Sequence, residues 1–167
     1  MNTSNLILVT DVNVIIHLDK AGLLDELTND KRIRIVDLML YNEYQFKKNL
    51  ASGKVEIIKT ITLNDKQLKE AINLHNNNKR NSFYDYCAYV AARDNDYVLL
   101  SGDFKLKKAV NYEKFHGTIW YVQDLFYNGI ISKDKLKSIY ETWISDPTIY
   151  LDENKLIQLI EELNNEG

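Results

Sequence analysis

The chain has 167 residues, enough for one domain with a sizeable core. Its 45% hydrophobic and 27% charged residues describe a folded globular chain, and its formal charge of −3 neither supports nor rejects RNA as a partner. No apolar run reaches the roughly 20 residues that a membrane-spanning helix needs, and Met1-Asn2-Thr3-Ser4-Asn5 lacks the basic region of a secretory leader. A lone cysteine, Cys87, excludes an intramolecular disulfide and a Cys-rich zinc site, and suits a reducing cytoplasm.

Five short β-branched or aliphatic runs mark expected strands: Leu6–Thr10, Ile33–Val36, Val55–Ile58, Tyr97–Ser101 and Thr118–Val122. Arg34 and Glu56 apart, they are mostly apolar rather than alternating, the pattern of strands buried on both faces. Helical spacing occupies the intervals at Leu23–Leu27, Leu38–Leu50, Asn64–His75, Phe83–Arg93 and Phe104–Val110. Strand and helix in alternation predict an α/β fold with a parallel sheet covered by helices. Asn64, Ser82 and Asp103 stand where helix caps are needed. Beyond Val122 the pattern is helical only, through Asp124–Tyr127, Lys133–Trp143 and Asp152–Leu163, with Pro147 breaking the last two apart. The expected organisation is a sheet domain over residues 1–127 and a helical extension packed on it over 128–167.

Two aspartates leave strand ends. Asp11 follows the first run in Val9-Thr10-Asp11-Val12-Asn13, and Asp103 follows the fourth in Leu100-Ser101-Gly102-Asp103. Open parallel sheets bind ligands outside the carboxyl ends of their strands, where the strand order reverses. If the first and fourth strands are neighbours, both acids face that crevice. Glu43 and Asp85, early on the flanking helices, can turn toward the same opening. Four oxygen donors without cysteine or histidine suit magnesium or manganese better than zinc. Gathered around cations, they would also account for more than the whole net charge and leave a slightly basic remainder.

Taken singly, each acid has a local explanation. Asp11 and Asp103 suffice as helix caps, Asp85 completes a capping box with Ser82, and Glu43 suits a solvated helix face. Order and spacing together say more. Leu8-Val9-Thr10-Asp11-Val12-Asn13-Val14-Ile15, then Asn42-Glu43-Tyr44, then Asp85 opening the alanine-rich Tyr86–Ala92, then Ser101-Gly102-Asp103, resembles the PIN-domain nuclease family from about Leu6 to Val122.

That resemblance implies a five-stranded parallel sheet of order 3-2-1-4-5 and hydrolysis of phosphodiesters, most often in RNA. It implies that Asp11, Glu43, Asp85 and Asp103 form the acidic quartet holding Mg2+ or Mn2+, with Asn13 and Ser101 supporting it by hydrogen bonds. Asp37 departs from the family pattern as an extra acid. The small size further resembles the ribonuclease toxins of type II toxin–antitoxin modules, with an antitoxin protein or a second copy of the chain as candidate partners.

RNA would be held by basic residues near the opening: Lys79 and Arg80 ahead of Asp85, Lys105, Lys107 and Lys108 behind Asp103, and Lys47 and Lys48 beyond Glu43. Two other readings compete, an RNA-processing nuclease outside any toxin system and a catalytically silent domain that binds protein. Retention of all four acids speaks against the silent domain. A phosphotransfer enzyme with Asp11 as nucleophile would want an aspartate where Asn13 stands. His17, His75 and His116 match no motif, and His17 reads as a packed or surface residue.

Overall fold

A computed structural model describes residues 2–42, 58–102 and 104–166 of the protein. In chain order the elements are β1 (Leu8–Thr10), α1 (Val12–Lys20), α2 (Leu24–Asn29), β2 (Ile33–Val36), α3 (Asp37–Asn42), β3 (Lys59–Ile61), α4 (Asp65–Asn77), α5 (Phe83–Asn95), β4 (Val98–Leu100), α6 (Phe104–Val110), β5 (Phe115–His116), α7 (Thr118–Tyr127), α8 (Lys133–Ser145) and α9 (Glu153–Asn165). The strands make one all-parallel sheet of order β3-β2-β1-β4-β5.

Central position explains the composition of β1 and β4. Every residue of both strands is buried, so a continuous apolar run is the stable choice. Leu8 lies opposite Ile33 on one side and Val98 on the other, which makes β1 the middle of the sheet. Helix α5 packs across β1, β2 and β4, and buries Tyr86, Cys87, Ala88, Val90, Ala91 and Ala92. Small alanines let a helix come close to a sheet, so its alanine-rich face fits this place.

The two edges depart from the sequence expectation. The third strand is described as Lys59–Ile61; of the expected Val55–Ile58, Ile58 is buried just ahead of it, and 55–57 lie outside the described residues. Lys59 and Thr60 are exposed, as an edge strand permits, so no apolar run marks it. The fifth strand is Phe115–His116, and the expected strand Thr118–Val122 is instead the first half of α7. Tyr121, Val122 and Leu125 are buried along α7 at helical spacing. Burial of that stripe overrides the β-propensity of Thr118-Ile119-Trp120-Tyr121-Val122. The expected helix Leu38–Leu50 is seen as α3 from Asp37 to Asn42, its remainder falling outside the described residues.

Local capping chemistry sets several helix starts. Asn64 accepts from the Gln67 backbone N–H at 2.9 Å while the Gln67 side chain receives the Asn64 N–H at 2.9 Å. Ser82 and Asp85 make the same reciprocal pair at the start of α5. Asp96, left-handed at φ 58°, ends α5 and turns the chain into β4 within two residues. Asp37, the extra acid at the exit of β2, receives the hydroxyl of Thr62 at the exit of β3, and so ties two strand ends together.

By its contacts the chain divides into two compact units, Met1–Thr118 and Ile119–Gly167, where the sequence drew the division after Tyr127. In the second unit α8 buries Leu136, Ile139, Tyr140 and Trp143, and α9 buries Leu156, Leu159 and Leu163. The two helices pack on one another, joined through Asp146, whose carboxylate accepts from the Thr148 N–H at 2.9 Å. No helix among the described residues is long and apolar enough to cross a membrane.

Candidate functional site

In the strand order 3-2-1-4-5 the chain first winds outward from β1 to β3, then returns to the other side of β1 with β4. The switch point is therefore the crevice between the carboxyl ends of β1 and β4. Asp11 leaves β1 there and Ser101 leaves β4. Both are almost completely buried.

Asp11 does two things. Its Oδ1 accepts from the Val14 N–H at 3.0 Å, which caps α1, and its Oδ2 receives the Ser101 hydroxyl. The Asp11 backbone N–H also donates to the Leu100 carbonyl at 3.2 Å. Capping accounts for the first bond only. The second comes from a residue 90 positions away and spans the switch point, fixing a buried carboxylate whose charge would otherwise be costly to bury.

Asp85 belongs to the same edge of the sheet by helix direction. Helix α5 lies on the sheet and feeds into the amino end of β4, so it runs against the strands. Its first turn, with Ser82 and Asp85, therefore starts at the carboxyl edge. Asp85 is half-buried, and its Oδ2 accepts from the Ser82 N–H at 2.9 Å. The charge of Asp85 reaches inward as well: burial pushes the Cys87 thiol up to about 12, and the nearby Asp85 carboxylate adds to the rise.

Glu43 and Asp103, the other two acids of the expected quartet, lie outside the described residues, as do Lys47 and Lys48. Among the described residues, no group of three or more acids, histidines or cysteines is gathered to hold a metal ion. Asn13 is exposed on the first turn of α1. Lys79 and Arg80 are exposed in the α4–α5 turn ahead of Asp85, and Lys105, Lys107 and Lys108 are exposed on α6. The Lys107 ammonium lies 5.8 Å from the centre of the Phe115 ring, a cation–π contact.

Three residues here escape the motif reading. His17 is buried on α1, and its Nδ1 shares a hydrogen bond of 3.2 Å with the Thr118 hydroxyl. Gly102, the middle of Ser101-Gly102-Asp103, lies against both. The only sequence signal was the glycine itself, since the histidine and threonine are 101 positions apart.

A cavity of about 400 Å3 lies at the opposite, amino end of the strands, lined in part by Ile7, Asp96, Tyr97, Val98 and Lys114. It contains none of the candidate residues, and its ion pair, Lys114 with Asp96 at 2.7 Å, is exposed to solvent.

No family model matches the chain, and no curated protein matches it. Among solved structures the fold is similar to that in the crystal structure of PAE2754 from Pyrobaculum aerophilum. The TM-score is 0.51 and the identity 16%, over 72% of this chain and 96% of that one. At that identity the likeness speaks for the fold alone.

Proposed function

We propose that the chain is a metal-dependent endoribonuclease of the PIN-domain kind, acting on RNA in the cytoplasm and serving as the toxin of a toxin–antitoxin module. The hydrogen bond from Ser101 to Asp11 across the β1–β4 crevice carries this reading. It joins the two strand-exit motifs at the one place where this topology binds ligands.

Donor chemistry supports a hard cation. Carboxylates and a hydroxyl at the strand exits suit Mg2+ or Mn2+, and Asp11, Glu43, Asp85 and Asp103 would hold it. When bound there, such a cation neutralises the phosphodiester and makes a water molecule more acidic. Ser101 holds the Asp11 carboxylate in one orientation, and α1 presents that carboxylate from its first turn. Lys79, Arg80, Lys105, Lys107 and Lys108 would hold backbone phosphates on either side of the crevice.

The test is cleavage of RNA by purified protein in Mn2+ or Mg2+. Asp11→Asn should cost at least about a hundredfold, the scale of losing several kcal/mol of cation-held charge. Chelation should stop the wild-type chain. Equal cleavage by wild type and Asp11→Asn, in preparations free of contaminating ribonuclease, would sink the assignment. Growth arrest on expression, relieved by Asp11→Asn, separates a toxin from a processing enzyme.

A further inference from the structure

Glycine in Ser101-Gly102-Asp103 is demanded by space. Gly102 has no left-handed backbone to explain it. A Cβ there would lie 2.9 Å from His17 Cε1, 3.1 Å from Thr118 Oγ1 and 3.2 Å from His17 Nδ1. The first distance is shorter than a carbon–carbon contact tolerates, and the ring it would strike is itself buried. The exit of β4 thus runs directly against a buried polar pair.

Two apolar side chains could fill the same space at lower desolvation cost than an imidazole and a hydroxyl. A hydrogen bond adds what apolar packing lacks, a preferred direction. His17 lies six positions after Asp11 on the same short helix. Helix α1 therefore grips the exit of β4 twice, at Ser101 through Asp11 and at Gly102 through His17.

We propose that His17 and Thr118 form a clamp on Gly102 that fixes Ser101, and through it the Asp11 carboxylate, for cation binding. His17 and Thr118 are positioning residues: they act through Gly102 and touch neither cation nor RNA. The inference rests on the nuclease reading above and deepens it. Its logic is that a ligand carboxylate displaced by about 1 Å can cost a hundredfold in activity.

Thr118→Val keeps the shape and removes the hydroxyl, whereas Thr118→Ser keeps the hydroxyl. In the full chain, Mn2+ affinity by titration calorimetry should fall about tenfold or more in Thr118→Val, the usual scale for a residue supporting a metal ligand. Its kcat should fall while KM for RNA holds, and Thr118→Ser should retain wild-type affinity. If Thr118→Val binds Mn2+ and cleaves like wild type, the clamp is overturned. It is overturned too if both variants lose affinity in step with their Tm.

Gly102→Ala is the second arm, and it should weaken Mn2+ binding by forcing the ring aside. Adding His17→Ala to it opens the space but does not restore the hydrogen bond, so affinity should stay low. Recovery in that double variant would mean the ring only fills volume, and would end the proposal. A wild-type chain that binds no Mn2+ overturns the nuclease reading and the clamp's purpose with it. Wild-type binding with unaffected variants overturns the clamp alone.

Discussion

A carboxylate at a strand exit has two masters, the helix that follows and the ligand that arrives. At Asp11 the atoms divide the work, since Oδ1 serves the helix and Oδ2 faces Ser101. Cys87 shows the opposite situation, a reactive group made inert by its surroundings. Burial and the Asp85 carboxylate raise its thiol to about 12. Only the thiolate reacts, so at pH 8 the native thiol should label at least about a thousandfold more slowly than that of the unfolded chain. Timed reaction with a chromogenic disulfide, with and without denaturant, measures this. Rapid labelling of the native protein would mean that α5 opens readily, and would weaken the case that it holds Asp85 in place.

Among the elements, the α4–α5 hairpin is held at its polar face by Arg93. This guanidinium donates to both oxygens of Glu70 and also reaches Asp94, which in turn accepts from Gln67 at 3.0 Å. The hydrogen bond from Arg93 holds the Glu70 carboxyl below its usual range, although burial opposes this. Arg93 stays charged throughout, its own pKa raised by the same bond. A carboxyl depressed on folding stabilises the fold above its ordinary pKa, and that contribution fades as pH falls through the folded value. Glu70→Gln should therefore cost stability at pH 7 by roughly 0.5 kcal/mol, given a pair about one-third exposed to solvent. The gap to wild type should close as pH drops below the ordinary glutamate value of 4.5. Urea titrations of both proteins across pH 3–7 check this. A gap independent of pH would mean that Glu70 contributes packing rather than charge.

On the scale of the whole molecule, the proposed cation binding would be linked to folding. A ligand that binds only the folded state raises stability by about 2.7 kcal/mol when present at a hundred times its Kd. Mn2+ should accordingly raise the Tm of the wild-type chain in a concentration-dependent way, and raise that of Asp11→Asn far less. Calcium-free thermal melts with stepwise Mn2+ make the comparison, and an equal shift in both proteins would move the cation away from Asp11. The linkage concerns the unit Met1–Thr118, which contains the β1 and β4 exits; the unit Ile119–Gly167 has its own buried stripe on α8 and α9.

Sequence by itself determined what depends on near neighbours. Ser82 and Asp85, three residues apart, make the capping box that their spacing requires. Strands β1 and β4 stand where apolar runs stand, because burial on both faces leaves no room for alternation, and β2 follows with only Arg34 half-buried. Strand β3 escaped that test because an edge strand keeps exposed residues, and α7 escaped it because a buried helical face outweighed local β-propensity. Of the candidate site, Asp11 and Ser101 were each legible as strand exits. Tertiary structure alone decided that they meet, through a bond between residues 90 positions apart. The grip of His17 and Thr118 on Gly102 was invisible for the same reason. A hydrogen bond across 101 positions exists only after the sheet has closed, and no local pattern records it.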